Sequence, residues 1–167
     1  MAKRLVSRFL ILVIVLLLVG CDHVSKGVAK AELETGGARE VIDGLVSLRY
    51  VENTDIAFNL LRWVPEGVRF PALVVFGAVA LLSLGYFLLR ARERASLPLF
   101  ALILVTAGAL GNYADRVVRG YVVDFVHLKY WPVFNVADVY ITLGYAGLAW
   151  ALFAKRRAER SQGAPSG

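Results

Sequence analysis

Four runs of this chain are strongly apolar, almost free of charge, and about as long as a bilayer is thick. That pattern removes most folds from consideration. The runs lie at about residues 5–24, 68–89, 96–113 and 134–153. A helix rises about 1.5 Å per residue, so ~20 apolar residues match the ~30 Å hydrocarbon core. Phe70 to Leu89 is the plainest case and carries no charged side chain. With 58% hydrophobic and only 19% charged residues in 167, the chain suits one membrane-embedded domain rather than a soluble one.

The basic residues then orient the spans. They number 19 against 13 acidic ones, a net charge of +6, and they cluster. Lys3, Arg4 and Arg8 precede the first span. Arg90, Arg92 and Arg94 lie between the second and third. Lys155, Arg156, Arg157 and Arg160 follow the fourth. A basic patch can mark a nucleic-acid partner. Here every patch abuts an apolar run, which points to cytoplasmic anchors and no nucleic acid. Both termini and the 90–95 loop are therefore expected in the cytoplasm. The pieces at about 27–67 and 117–133 are expected outside, and 161–167 is expected to be a flexible tail.

The first span admits a competing reading. A basic start, an apolar run and Leu18-Val19-Gly20-Cys21 resemble a lipoprotein signal whose cleavage box ends at Cys21. Three further spans follow, and a polytopic lipoprotein is an improbable object, so a retained span is favoured. Cys21, the single cysteine, would then be a small buried hydrophobe. Asp22 and Lys26, four apart, share one helix face. They either close the span, with Lys26 snorkelling to the headgroups, or brace a site from below; spacing alone favours the first.

The outer pieces are short. Gly36-Gly37 reads as a turn, and Ile42 to Val51 reads as a strand from its β-branched and aromatic content and near period of two. Tyr121 to Phe125 reads as extended. Trp63, Tyr130 and Trp131 mark returns to the interface. The fold class expected is a mainly α membrane protein, with four transmembrane helices and a small extracytoplasmic β-cradle.

On this topology Asp22, Asn53, Asn112, Asp115, Arg116, Asp124, Asn135 and Asp138 reach the same outer level from four separate pieces of chain. Ionisable groups near hydrocarbon are expensive and are kept for function. Asp124 and Asp138 stand in apolar settings, Val-Val-Asp-Phe-Val and Asn-Val-Ala-Asp-Val. Two carboxylates in such a place share a proton, one activating water while the other polarises a carbonyl. The residues alone do not assign acid and base. Asn112 and Asn135 can donate and accept together, and Arg116 offers a fixed charge. Asp115-Arg116 is read equally as part of the site or as a plain helix-end pair. A metal on Asp124, His127 and Asp138 is disfavoured, because His127 falls on the opposite face of an extended stretch. No serine or cysteine nucleophile is evident. A non-catalytic scaffold or paralogue, or a small ion-coupled transporter, remains open, although neither broken helices nor repeated halves are seen.

The motifs Asp22-x-x-Ser25-Lys26, Asn53-x-x-x-Ala57-Phe58, Gly108-Ala-Leu-Gly-Asn112-x-x-Asp115-Arg116, Gly120-Tyr-Val-Val-Asp124-Phe125 and Phe134-Asn135-Val-Ala137-Asp138 occur in this order. Together they resemble lipoprotein signal peptidase, or signal peptidase II, over essentially the whole chain. The resemblance implies an aspartic endopeptidase of the bacterial cytoplasmic (inner) membrane. It would remove the signal peptide of a diacylglyceryl-modified prolipoprotein just before the lipidated cysteine. It implies a catalytic pair at Asp124 and Asp138. Support is implied from Asp22, Lys26, Asn53, Phe58, Asn112, Arg116, Asn135 and Ala137. No metal or cofactor is implied. The implied partners are the precursor, membrane lipid and a cyclic-peptide inhibitor of the globomycin type, and the chain is expected to be a monomer. One departure concerns Asp55 and Ile56, where the family usually has glycine and a small residue. Asp tolerates the left-handed conformation that glycine would serve, so the fold is expected to survive, with substrate preference or inhibitor response open to change.

Overall fold

The computed structural model describes residues 2–54, 65–90 and 96–162. Among them, four helices are long and apolar enough to cross a bilayer. Helix α3 (Leu97–Arg119) is the axis, and α1 (Ala2–Leu33), α2 (Glu66–Arg90) and α4 (Val136–Gln162) each pack against it. Its apolar window is 44% buried, against 11%, 6% and 11% for α1, α2 and α4. The other three turn large apolar side chains such as Leu17, Phe76, Leu82 and Phe153 outward, as expected where the solvent is lipid.

The sequence places small residues where the helices meet. A Cβ on Gly108 of α3 would strike the Ala137 carbonyl oxygen, with Ile141 Cγ1 at 2.7 Å. A Cβ on Gly144 of α4 would lie 2.5 Å from Val105 Cγ2 and 2.7 Å from the Ala101 carbonyl oxygen. α3 and α4 are thus packed nearly backbone to backbone, the close approach that small residues permit in membranes. Tyr113 lies over Gly77 of α2 and donates to the Val74 carbonyl at 3.1 Å.

α1 continues past its apolar run to Leu33, because residues 25–33 are rich in the helix formers Lys, Ala, Glu and Leu. Among its described side chains the buried ones are Val15, Asp22, Lys26, Ala29 and Leu33. They form one stripe of helical period, so two charged residues occupy the same packed face as the apolar ones. Cys21, expected to be a small buried hydrophobe, is exposed because it lies off that face.

The three strands form one antiparallel sheet in the order β1 (Arg39–Ile42), β2 (Val46–Asn53) and β3 (Val122–Leu128). The single strand expected over Ile42 to Val51 is a hairpin instead. Asp43-Gly44 turns it, with Gly44 at φ 64° and Leu45 N–H donating to the Ile42 carbonyl, the dipeptide that favours tight hairpins. α3 stops at Gly120, whose φ of 82° supplies the left-handed cap that lets the chain enter β3 at once. Beyond β3, Phe134 pairs back onto Val126. Its N–H donates to the Val126 carbonyl, and its own carbonyl accepts from Phe125 and Val126. That clasp sets the start of α4 against the strand carrying Asp124.

Candidate active site

Asp124 is on β3 and 2% exposed. Register places Val51 opposite Asp124 and Asn53 opposite Val122, so Asn53 and Asp124 are diagonal neighbours on one sheet face. Asn53 Nδ2 donates to Asp124 Oδ2 at 2.7 Å, and Asn135 Nδ2 donates to Asp124 Oδ1 at 2.6 Å.

Asp138 is in the first turn of α4 and only partly buried. With Asn135 it forms a reciprocal cap. Asn135 N–H donates to Asp138 Oδ2 at 3.1 Å, and Asp138 N–H donates to Asn135 Oδ1 at 3.0 Å. This is a capping box written in Asn and Asp. Asn112 Nδ2 donates to Asp138 Oδ1 at 2.8 Å. Asn135 also donates to Asn112 Oδ1 at 3.1 Å. The two amides therefore stand between the two carboxylates, each with its carbonyl and amino ends committed, which fixes their orientation.

Behind them lies a buried ionic cluster. Lys26, fully buried, places Nζ 2.7 Å from Asp22 Oδ2, 2.8 Å from Asp115 Oδ2 and 2.9 Å from Asn112 Oδ1. Asp22, also fully buried, uses Oδ1 to accept the Ala137 N–H at 2.9 Å. Asp115 is 1% exposed and holds Arg119 on its other oxygen at 3.1 Å. Lys26 thus does not snorkel: the stripe that buries Ala29 and Leu33 buries it too, and two carboxylates meet it there. Nor is Asp115 an exposed helix end: it is buried between Lys26 and Arg119. Asp115, which the sequence read equally as part of the site or as a helix-end pair, is linked to the site, and its partner Arg119 is a residue that sequence reasoning did not assign. The readable signal was the helical spacing from Val15 through Asp22, Lys26, Ala29 and Leu33.

Arg116 lies within electrostatic reach of Asp138, Asp124 and Asp115, and its Nη1 approaches the Asn112 carbonyl at 3.4 Å. Ala137 is fully buried, with its backbone engaged by Asp22. His127 is held by Ser47 at 3.2 Å across the strand pair. Phe58, Asp55, Ile56 and Trp63 lie outside the described residues.

The Asp124 carboxyl is pushed above its ordinary range. Burial is the main cause and the Asp138 charge adds to it, while the amides of Asn53 and Asn135 and the Lys26 ammonium pull the other way. A cleft of about 240 Å³ opens beside Asp138, lined by Leu128, Trp131, Phe134, Val139, Thr142 and Leu143. It is apolar except for Asp138 and Thr142. Its walls would accept a hydrocarbon-rich ligand and present it to the carboxylate.

The comparisons with known proteins converge on one family. Residues 14–154 match the family profile described as Signal peptidase (SPase) II. The lipoprotein signal peptidase of Streptococcus pneumoniae (strain ATCC BAA-255 / R6) is 37% identical over 143 residues, covering 83% of this chain and 88% of that protein. The lipoprotein signal peptidase of Symbiobacterium thermophilum is 39% identical over 138 residues, covering 80% and 87%. Two solved chains, each described as a bacterial membrane enzyme determined by the in meso method, superpose with TM-scores of 0.75 and 0.73 at 28% identity. They cover 87% and 85% of this chain and 88% and 91% of their own. The profile's residues 14–154 take in the sheet, both carboxylates, α2 and α3, and most of α1 and α4. The chain therefore belongs to the signal peptidase II family, the lipoprotein signal peptidases, and is a multi-pass membrane peptidase.

Proposed function

We propose that this peptidase hydrolyses the signal-peptide bond of a diacylglyceryl-modified prolipoprotein just before the lipidated cysteine, with Asp124 and Asp138 as the catalytic pair. The observation that carries this is the two carboxylates joined by the Asn112 and Asn135 amides. Such a bridge holds two acids in one small volume, where a single shared proton is favoured.

Burial and the neighbouring charge favour the proton on Asp124. Asp138, like Asp124, accepts two N–H donors, but it is more open and lies at the positive end of α4. Asp138 then takes a proton from water, and the hydroxide oxygen bonds to the scissile carbonyl carbon. Asp124 gives its proton to the carbonyl oxygen as that oxygen gains charge. The resulting gem-diol collapses with a hydroxyl proton returning to Asp124. The C–N bond breaks, and Asp138 delivers its proton to the departing cysteine nitrogen. The pair ends with the single proton it began with. Arg116 stands close enough to offset the charge that accumulates.

The apolar cleft beside Asp138 suits a precursor whose acyl chains stay in the bilayer. The basic patches favour both termini in the cytoplasm, so the pair acts at the outer face of the bacterial cytoplasmic membrane. A cyclic lipopeptide of the globomycin type would compete for the same cleft, and the chain works as a monomer. The test is a gel-shift assay of purified Asp124→Asn and Asp138→Asn with a lipidated precursor. Both variants should insert, fold and leave the precursor uncut; appreciable cleavage by either refutes the pair.

A further inference from the structure

We propose that Arg119 is a positioning residue for the catalytic pair, acting from the protein's rim through Asp115 and Lys26. The inference rests on the reading of Asp138 as catalytic. Arg119 is in the last turn of α3 and 31% exposed, with Nη1 3.1 Å from Asp115 Oδ1. The other Asp115 oxygen is 2.8 Å from the Lys26 ammonium. From Lys26 two arms reach α4. One runs through Asn112, which accepts from Lys26 at 2.9 Å and donates to Asp138 Oδ1 at 2.8 Å. The other runs through Asp22, 2.7 Å from Lys26, to the Ala137 N–H at 2.9 Å. A row of alternating formal charge, Arg119, Asp115, Lys26 and Asp22, thus joins the edge of the molecule to the first turn of α4.

The physical consequence lies in how Lys26 divides its donors. It has three N–H groups and three acceptors: Asp22, Asp115 and Asn112. Arg119 neutralises Asp115 from the far side. Without Arg119, the buried set holds two carboxylates against one ammonium, and Asp115 draws Lys26 more strongly. The donor most weakly held is the one on the neutral Asn112 amide. Losing it leaves the Asn112 oxygen held by Asn135 alone, which relaxes the amide's orientation and loosens its bond to Asp138. Other charged or titratable groups near this end include His23, 3.7 Å from Asp22 Oδ2, Tyr140, within electrostatic reach of Asp22 and Cys21, and Arg116 and Asp124 on the catalytic side. The ion pair recorded on Asp115 Oδ1 is the one with Arg119.

The experiment measures kcat and KM of the full chain with a lipidated precursor for Arg119→Ala, Arg119→Lys, Asp115→Asn, the Asp115→Asn/Arg119→Ala double variant and Asp138→Asn. Arg119→Ala should lower kcat about fivefold with KM unchanged, because the lost partner touches no substrate. Arg119→Lys should restore most of it, and Arg119→Ala should add nothing in the Asp115→Asn background. Wild-type kcat in Arg119→Ala overturns the inference. So does a raised KM at unchanged kcat, which would place Arg119 against the substrate. Should Asp115→Asn fail to fold, the rescue by lysine and the kcat-against-KM split still decide. Activity in Asp138→Asn would instead sink the catalytic pair itself. An inactive Asp138→Asn beside an unaffected Arg119→Ala sinks only the role of Arg119.

Discussion

Lys26→Met removes the one cation between two buried carboxylates while keeping most of the side-chain volume. Asp22 Oδ2 and Asp115 Oδ2 both face the Lys26 ammonium, at 2.7 and 2.8 Å, and it is their shared compensation. Breaking a buried pair by deleting one member typically costs about 3–5 kcal/mol, most of it the penalty of the charge left behind. For a chain of this length, each kcal/mol moves the midpoint by roughly 2–4 °C, so the variant should melt about 6–20 °C lower. Thermal unfolding in detergent micelles, followed by helical circular dichroism, reads this directly. A second variant separates charge from packing. Lys26→Met combined with Asp22→Asn and Asp115→Asn leaves no fully buried charge uncompensated, and Arg119, which loses Asp115, is partly exposed, so the variant should recover most of the lost midpoint. Its turnover should stay well below wild type, because Asn112 has still lost one of the two donors that orient it toward Asp138. A Lys26→Met midpoint within about 2 °C of wild type would refute the reasoning, since the cluster would then be solvated or protonated rather than ion-paired. A triple variant no more stable than the single one would show that packing, not charge, is what Lys26 contributes.

Three further outcomes follow from the same geometry. The raised Asp124 carboxyl means the folded state favours its protonated form; this contribution is full at acid pH and is lost as pH rises through the folded value. Asp124→Asn lacks that titration, so its melting point relative to wild type should climb as pH rises above the ordinary Asp value of about 4, and parallel curves would contradict the shift. Gly108→Ala puts a methyl group against the Ala137 carbonyl oxygen and Ile141; it should spread α3 from α4 and lower kcat at least tenfold with helix content retained, as judged by circular dichroism alongside precursor cleavage. Asn53→Ala leaves Asp124 Oδ2 without its 2.7 Å donor; it should reduce kcat by about 10- to 100-fold, and wild-type turnover would remove Asn53 from the site.

How much of this was legible in the sequence depended on whether the cause was local. Apolar runs of about 20 residues between basic clusters specify bilayer helices through length alone, and α3 is readable as the packed one from Gly108, Gly111 and its neighbours. The hairpin was legible in principle, because Asp43-Gly44 is a turn signal inside an otherwise strand-like run. The ionic cluster was not legible from Asp22 and Lys26 taken as a pair. A spacing of four serves a snorkelling lysine and a buried one equally, and the decisive partners, Asp115 and Asn112, are supplied by a helix far along the chain. Only the continuation of the stripe through Ala29 and Leu33 distinguishes the two.

Asn135-x-x-Asp138 was legible for a different reason: it is a helix-start signal as well as a site motif. The same two bonds that begin α4 hold one carboxylate, and Asn135 Nδ2, which also bonds Asn112, holds the other. Folding of α4 and assembly of the pair are therefore one event. The clasp of Phe134 on Val126 and the bond from Ala137 to Asp22 fix where that event happens. An Asn135→Ala change should accordingly lose about 1 kcal/mol of stability as a cap and far more in turnover than that loss explains. Turnover reduced only in proportion to the folded fraction would mean that the cap and the site are separable after all.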